Sequence, residues 1–381
     1  MILIIFEPHY KVILITENFN FQECAGGSMK KFTGFYKGIN LGGWISQCKE
    51  YSKEHYDSFI SRDDFFKIKE LGFDHVRLPL DYNVIMEDDG SFIESGFSYL
   101  DKGISWAKES GLKVVLDLHK TLGYMFDTNA VPNPDDFFIN SKLQDVFVKI
   151  WDKLSERYKD CSDMVAFELL NEIVNPHYEE KWNEIASRAF AVIRKNAPDS
   201  WILVGGVNYN SVSAVPGIKV PFDEKTVLNF HCYEPLVFTH QKAHWIKEMP
   251  SDYDVNYPGP DINYLREKSS SIPQARYGAI FDPAMDNLQL DENFFINLFK
   301  PAIDTAEKLN IPLYCGEYGV IDKAPASDTA VWFSHIHKAM NKYQISSAIW
   351  SYKEMDFGLI GSHYDSVRSQ ICSGLEASDG N

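Results

Sequence analysis

Two glutamates in this chain stand where carboxylates are costly. Met164-Val-Ala-Phe-Glu-Leu-Leu-Asn-Glu172 and Leu313-Tyr-Cys-Gly-Glu317-Tyr-Gly319 are apolar, strand-like runs, and each reaches a glutamate as the strand pattern gives way to a loop. A run of this kind, bounded by turn residues, reads as a strand buried on both faces. A charge at its end costs free energy unless it is paired or used. Two facing carboxyls suit glycoside hydrolysis, in which one protonates the departing oxygen and the other attacks the sugar or activates water. One such glutamate reads as an ordinary strand-end residue. Two of them, together with the polar residues collected below, read as a site.

The elements that must position this pair follow from the pattern around it. Eight short apolar runs, at 38–41, 75–78, 114–118, 165–170, 202–204, 227–230, 313–316 and 347–350, alternate with amphipathic stretches at 63–71, 99–110, 143–158, 182–195, 294–309 and 329–343. Strand–helix alternation implies right-handed crossovers and a parallel sheet. Eight repeats predict a closed (β/α)8 TIM barrel of the α/β class, and 381 residues fit such a barrel with insertions. The Gly-rich element 38–43 lacks the GxGxxG spacing and a following helix, which disfavours a dinucleotide fold. Between His231 and Asn293 lie roughly sixty residues, far beyond an ordinary βα loop, so 232–293 is expected to be an inserted subdomain over the barrel mouth. Residues 1–28 read as a dispensable extension ahead of Met29, leaving 29–381 as the catalytic barrel.

Active sites of such barrels gather at the carboxyl ends of the strands. Those positions carry Arg77, Asp117, His119, Asn171, Glu172, Asn229, His231, Tyr233, Glu317 and Trp350. His75 reads as structural and Asp117 as an orienter of His119. Tyr124, Phe126, Tyr209 and Trp245 are candidate sugar platforms, and Asn208 and Asn210 either meet substrate or shape a turn. Arg77 has a candidate partner in Glu168, which shares a strand face with Glu172 by period two.

Composition bounds the partners. A formal net charge of −17 argues against nucleic acid and anionic membranes and is indifferent to a neutral polymer. The six cysteines have no CxxC or zinc-site spacing and read as reduced core residues. The apolar start Met1–Phe6 is too short for a signal peptide or a membrane span, so the chain reads as cytoplasmic unless a native leader is missing. No cofactor and no metal are expected, and the protein is expected to be a monomer.

Four motifs, Gly38-x-Asn-Leu-Gly-Gly-Trp44, Val76-Arg77-Leu-Pro79, Leu170-Asn171-Glu172 and Gly316-Glu317-Tyr-Gly319, resemble glycoside hydrolase family 5, the cellulase A family of retaining β-glycanases. Tyr233-x-Pro235 followed by Phe238-Thr-His-Gln-Lys-Ala-His-Trp245 resembles the insertion of the clostridial endoglucanase C-like subgroup. The resemblance implies that Glu172 is the acid/base and Glu317 the nucleophile, with Arg77 and Tyr233 holding Glu317. It further implies that Asn171 meets the sugar 2-hydroxyl, that His119 contacts sugar hydroxyls, that His231 sits near the acid/base, and that Trp350 floors the site. The implied activity is endo-acting, retaining cleavage of β-1,4-glucosidic bonds in cellulose-type or mixed-linkage β-glucans. The alternatives are a β-1,3-glucanase or (gluco)mannanase with the same chemistry, a non-catalytic carbohydrate-binding barrel, and a metal-dependent hydrolase. Retention predicts a carboxyl separation of roughly 5–5.5 Å, against roughly 6.5–9.5 Å for inversion.

Overall fold

A computed structural model describes residues 29–127, 132–286 and 288–375; the expected extension 1–28 lies outside the described residues. Eight parallel strands close in sequence order, each paired with its chain neighbours and the last with the first: β1 (Lys37–Asn40), β2 (His75–Asp81), β3 (Lys113–Lys120), β4 (Val165–Glu168), β5 (Ile202–Gly205), β6 (Thr226–Cys232), β7 (Leu313–Tyr318) and β8 (Ser346–Ile349). All six expected helices form, the longest being Ser141–Tyr158, Glu179–Asn196, Glu292–Leu309 and Ala326–Tyr343. No helix among the described residues is long and apolar enough to cross a membrane.

Period-two alternation divides each strand between the helical shell and the barrel interior. Outward residues such as Val76, Leu78, Phe167, Phe230 and Tyr318 join the large core with the helices. Inward residues stack in layers. At the amino-terminal end Val115, Ala166, Leu203, Val227, Tyr314 and Ala348 form a small second core. Phe32 and Phe35, stacked at 4.3 Å, belong to the same cluster. Above it the interior turns polar, with Asn40, Arg77, Asp117, Glu168 and Asn229 all fully buried. A polar layer at that depth persists only if its members satisfy one another.

The long connection after β6 carries the helices Leu236–Thr239 and Ile262–Ser269 and three 3-10 turns. It has its own internal bonds. The Gln241 amide donates to the Val255 carbonyl at 3.0 Å and accepts from the Val255 N–H at 3.2 Å, and Phe238 packs on Tyr257. It is joined to the barrel where the Trp332 indole N–H donates to the Glu234 carbonyl at 2.9 Å and the Tyr257 N–H to Asp328 at 3.0 Å.

Candidate active site

Glu317 owes its direction to an irregularity in β7. Tyr314 faces the barrel interior, so strict alternation would send Glu317 outward. The register between β6 and β7 slips after Phe230↔Cys315, so that His231 pairs with Glu317, and the β7–β8 register slips as well. An extra residue of this kind re-aims a side chain. Gly316 and Glu317 consequently both face inward: a Cβ on Gly316 would meet Asn229 and His231, and Glu317 reaches Arg77 and Tyr233. Arg77 Nη1 donates to Glu317 Oε1 at 2.6 Å, and the Tyr233 hydroxyl donates to Oε2 at 3.0 Å.

Glu172 lies further from its strand than its sequence run suggested. β4 ends at Glu168, and Glu172 follows four residues later. Leu169 N–H still donates to Leu203 O and Asn171 N–H to Leu118 O, both at 3.1 Å, so the segment is moored to both neighbouring strands. The Glu172 carbonyl accepts from the Tyr124 hydroxyl at 3.1 Å, and its carboxyl lies 2.9 Å from His231 Nδ1. One carboxyl oxygen of Glu172, one of Glu317 and a ring nitrogen of His231 all lie within 4.8 Å of one another. That proximity suits the short, nucleophile-type geometry. The same three atoms could also hold a divalent ion.

Arg77 is the hub. Its Nε and Nη2 bind both oxygens of Glu168 at 2.7 Å, and Nη2 lies 3.0 Å from Asp117 and donates to Asn171 Oδ1 at 3.0 Å. Nη1 is shared between Glu317 and Asn40. Both partners proposed for Arg77 from the sequence are therefore present at once, a division that a planar fork allows and an ammonium does not. Burial works against the guanidinium charge, but Asp117, Glu168 and Glu317 outweigh it and keep it protonated.

One buried cation cannot keep four buried carboxyls ionised. Burial raises Asp117 to about 7 and Glu168 to about 6, with Arg77 pulling each back. Burial also raises Glu317, opposed first by Arg77 and then by His119. Glu172 is pushed well above the carboxylate range, first by burial and then by the Glu317 charge. Of the two, Glu317 holds the guanidinium, so Glu317 ionises first and Glu172 keeps the proton. Burial likewise keeps His231 neutral and lowers His119 to about 4. A neutral His231 can accept from protonated Glu172 or donate to it once ionised.

Around this centre runs a cleft of about 2970 Å³. Trp350, 6% exposed, stacks on His119 at 5.8 Å with 11° between the rings. The Gly-Gly of the first motif makes room for that ring. A Cβ on Gly42 would sit 2.8 Å from the Trp350 indole, and Gly43 adopts a left-handed φ of +82°. Gly42→Val should therefore tilt Trp350 and lower kcat/KM on oligosaccharides by about tenfold, with little change in melting temperature. Unaltered kinetics would separate Gly42 from the indole's placement. Trp245 and Phe281 from the long insertion, and Phe126 and Tyr209 opposite, also line the cleft. Of the remaining sequence candidates, Tyr124 is largely buried and its hydroxyl tethers the segment after Glu172. Asn210 is buried and shapes a turn, accepting from Gly206 N–H at 3.0 Å, while Asn208 faces the cleft. Buried His75 bonds Asp74 and Tyr314, away from the carboxyl pair, as a structural residue does.

Two polar contributors escaped the sequence reading. Gln47 meets His119 Nε2 at 2.6 Å, while Nδ1 of that ring meets Asp117 at 2.7 Å, so the imidazole is held at both nitrogens. Gln47 lies in a loop whose only local mark is its φ of 53°. Asn40 donates to the carbonyls of Gly316 and Ala348 at 3.0 and 3.2 Å while accepting from Arg77 at 2.9 Å. Its place inside the Gly-x-Asn-Leu-Gly-Gly-Trp motif was the available signal.

Comparison with known proteins places the chain beside cellulases. The family model described as cellulase (glycosyl hydrolase family 5) matches residues 37–356. Cellodextrinase A of Ruminococcus flavefaciens is 42% identical over 318 residues, 84% of this chain and 85% of that protein. Endoglucanase C of Acetivibrio thermocellus is 38% identical over 340 residues, 88% of this chain and 96% of that protein. Among solved structures, Thermotoga maritima Cel5A in complex with cellobiose shares the fold with a TM-score of 0.69 at 23% identity, covering 90% of this chain and 98% of that one.

Proposed function

The chain belongs to glycosyl hydrolase family 5, and on that footing we propose that it is an endo-acting, retaining glucanase cleaving β-1,4-glucosidic bonds in cellulose-type or mixed-linkage β-glucans and their oligosaccharides. The observation that carries the reading is the pair Glu172 and Glu317, with one carboxyl oxygen of each within 4.8 Å of the other and, of the two, only Glu317 bonded to the Arg77 guanidinium. Glu317 attacks the anomeric carbon as Glu172 gives its proton to the departing oxygen. Water then enters, Glu172 takes its proton, and the glycosyl–Glu317 ester breaks with net retention. Asn171, its carbonyl oxygen held by Arg77, keeps its amide hydrogens for the 2-hydroxyl. His119 offers a ring nitrogen to sugar hydroxyls in exchange with Gln47, and Trp350 stacks under the attacked ring. We read 232–293 as an inserted unit walling the cleft.

Product sizing on a panel of cellulose derivative, mixed-linkage glucan, β-1,3-glucan and glucomannan tests the specificity. Rapid mid-chain cleavage of the first two, with the β-anomer formed first, is the expected result. Preference for β-1,3-glucan or mannan moves the assignment to the alternative polymer. Full activity after dialysis against a chelator is also expected, and its loss would favour the divalent-ion reading of the same three groups.

The pH profile should be bell-shaped. The acid limb reports ionisation of Glu317, because the nucleophile is lost as pH falls through its pKa. The basic limb reports loss of the Glu172 proton, and burial together with the Glu317 charge places that limb above the ordinary carboxyl range. Arg77→Lys should move the acid limb upward and lower kcat by roughly tenfold to a hundredfold, since a single ammonium cannot serve Glu168 and Glu317 together. An acid limb that stays in place would confine Arg77 to a structural role.

A further inference from the structure

A second cavity, of about 470 Å³, opens beside the cleft next to the Glu172 segment: Val174 and Asn175, two and three residues after Glu172, line it, and Glu317 does not. Its volume lies within the roughly 300–1,000 Å³ of small-molecule sites. Tyr124, Phe138, Val174, Asn175 and Asp135 line it, and it shares only Asn208 and Tyr209 with the main cleft. Flat aromatic faces beside amide and carboxylate groups are the lining a pyranose selects, since its ring has apolar faces and a hydroxylated rim.

The partition between the two cavities is built with care. Asn208, Tyr209 and Asn210 are three consecutive non-glycine residues with φ of 53°, 57° and 53°. Such strain persists only where the surroundings impose it, and it concentrates at functional sites. Here the base of the turn is pinned. The Asn210 side chain accepts from Gly206 N–H, the Asn210 carbonyl accepts from His231 N–H at 2.8 Å, and Tyr209 N–H donates to Ile173 O at 3.0 Å. The turn therefore fixes Tyr209, 51% exposed, where it lines both spaces. The opposite wall is tied to the acid/base: the Tyr124 hydroxyl accepts from Val174 N–H at 2.8 Å and donates to the Glu172 carbonyl.

The position of Glu172 fixes what can reach this cavity. The proton donor stands on the side of the departing oxygen, so sugars lying beyond Glu172 belong to the leaving group. A linear chain already has room in the main cleft, whose lining also includes Ser211, Ser213, Asn297 and Asp304. A separate space across the Tyr209 partition suits a lateral group. Resting on the reading of Glu172 and Glu317 given above, we propose that this cavity binds a single pyranosyl branch carried by the leaving-group portion of a β-1,4-linked chain, with Tyr209 stacking against it.

The test compares kcat/KM on a xylosylated or galactosylated cello-oligosaccharide with that on the linear oligosaccharide of the same backbone, for the full chain and for Asp135→Trp, which fills the cavity from its exposed rim. The full chain should cleave both, and the branched-to-linear ratio should fall about tenfold or more in the variant. Val174→Phe fills the cavity from the opposite wall and should lower the same ratio, which keeps the test decisive if the first variant folds poorly. An unchanged ratio in both variants, or cleavage of linear substrate alone by the full chain, overturns the branch pocket and leaves the hydrolase reading intact. Failure to cleave either substrate would instead overturn the hydrolase reading.

Discussion

Glu317→Ala should abolish turnover of every glycoside tested, with kcat falling on the order of 10⁴–10⁶-fold, while affinity for the polymer changes only a few-fold. The split follows from where Glu317 sits. It is nearly buried beneath the cleft, with a side chain 7% exposed, and its oxygens are committed to Arg77 and Tyr233. On the proposed reading the polymer is instead gripped by the cleft walls and the Trp350 floor. The substitution removes the group that forms the covalent bond and leaves the surface that recruits the chain. It also deletes one negative charge beside Glu172, so the Glu172 carboxyl should titrate lower in the variant than in the parent. Added azide should restore part of the rate by occupying the vacated space and attacking the same carbon, giving a glycosyl azide of inverted configuration. Parent-level turnover without azide, or weakened polymer binding equal to the lost rate, would remove Glu317 from the chemical step.

The barrel was legible because its signals are local. Eight apolar runs with amphipathic stretches between them carry the periodicities of strand and helix, and each observed strand falls within a few residues of its run. The polar set at the strand ends was legible for a related reason: Arg77, Asp117, Glu168 and Asn229 interrupt otherwise apolar strands, and period two sends them to one interior layer. What was not legible depends on register and loop path. Strict alternation would have turned Glu317 outward, and only the slip in the β6–β7 register brings it to face Glu172. Three residues of moored extension separate Glu172 from the end of β4, a distance that an apolar run does not reveal because Leu169 and Leu170 continue it. Gln47 reaches His119 from a loop with no periodicity at all. The bonds of the Tyr124 hydroxyl to Glu172 O and Val174 N–H were equally hidden, since they depend on how the loop after β3 folds back. The raised Asp117 and Glu168 were also out of reach, since they rest on the count of one guanidinium against four carboxyls, which only the assembled layer discloses.

Glu172→Gln separates the acid from the nucleophile by the leaving group each substrate presents. With natural β-glucan the departing group is a sugar alkoxide, which needs a proton as the bond breaks. General acid catalysis contributes about 10²–10⁴-fold, and the variant should lose that factor in kcat/KM. A dinitrophenyl cellobioside departs as a stable phenolate and needs no proton, so glycosylation of Glu317 should proceed at close to the parent rate. The second step still requires a base to activate water, and glutamine has none. The covalent ester should therefore accumulate, giving a burst of dinitrophenol followed by a slow steady state, with a low apparent KM. Glutamine also keeps the shape of the side chain and a hydrogen-bonding partner for His231, so the site should keep its geometry and the loss should be chemical. The basic limb of the pH profile should disappear with activated substrates, because the group that set it no longer titrates. Equal losses on polymer and dinitrophenyl glycoside, with the basic limb still present, would mean that the proton comes from elsewhere. Asp117, raised by burial to about 7, would then be the next buried carboxyl to substitute.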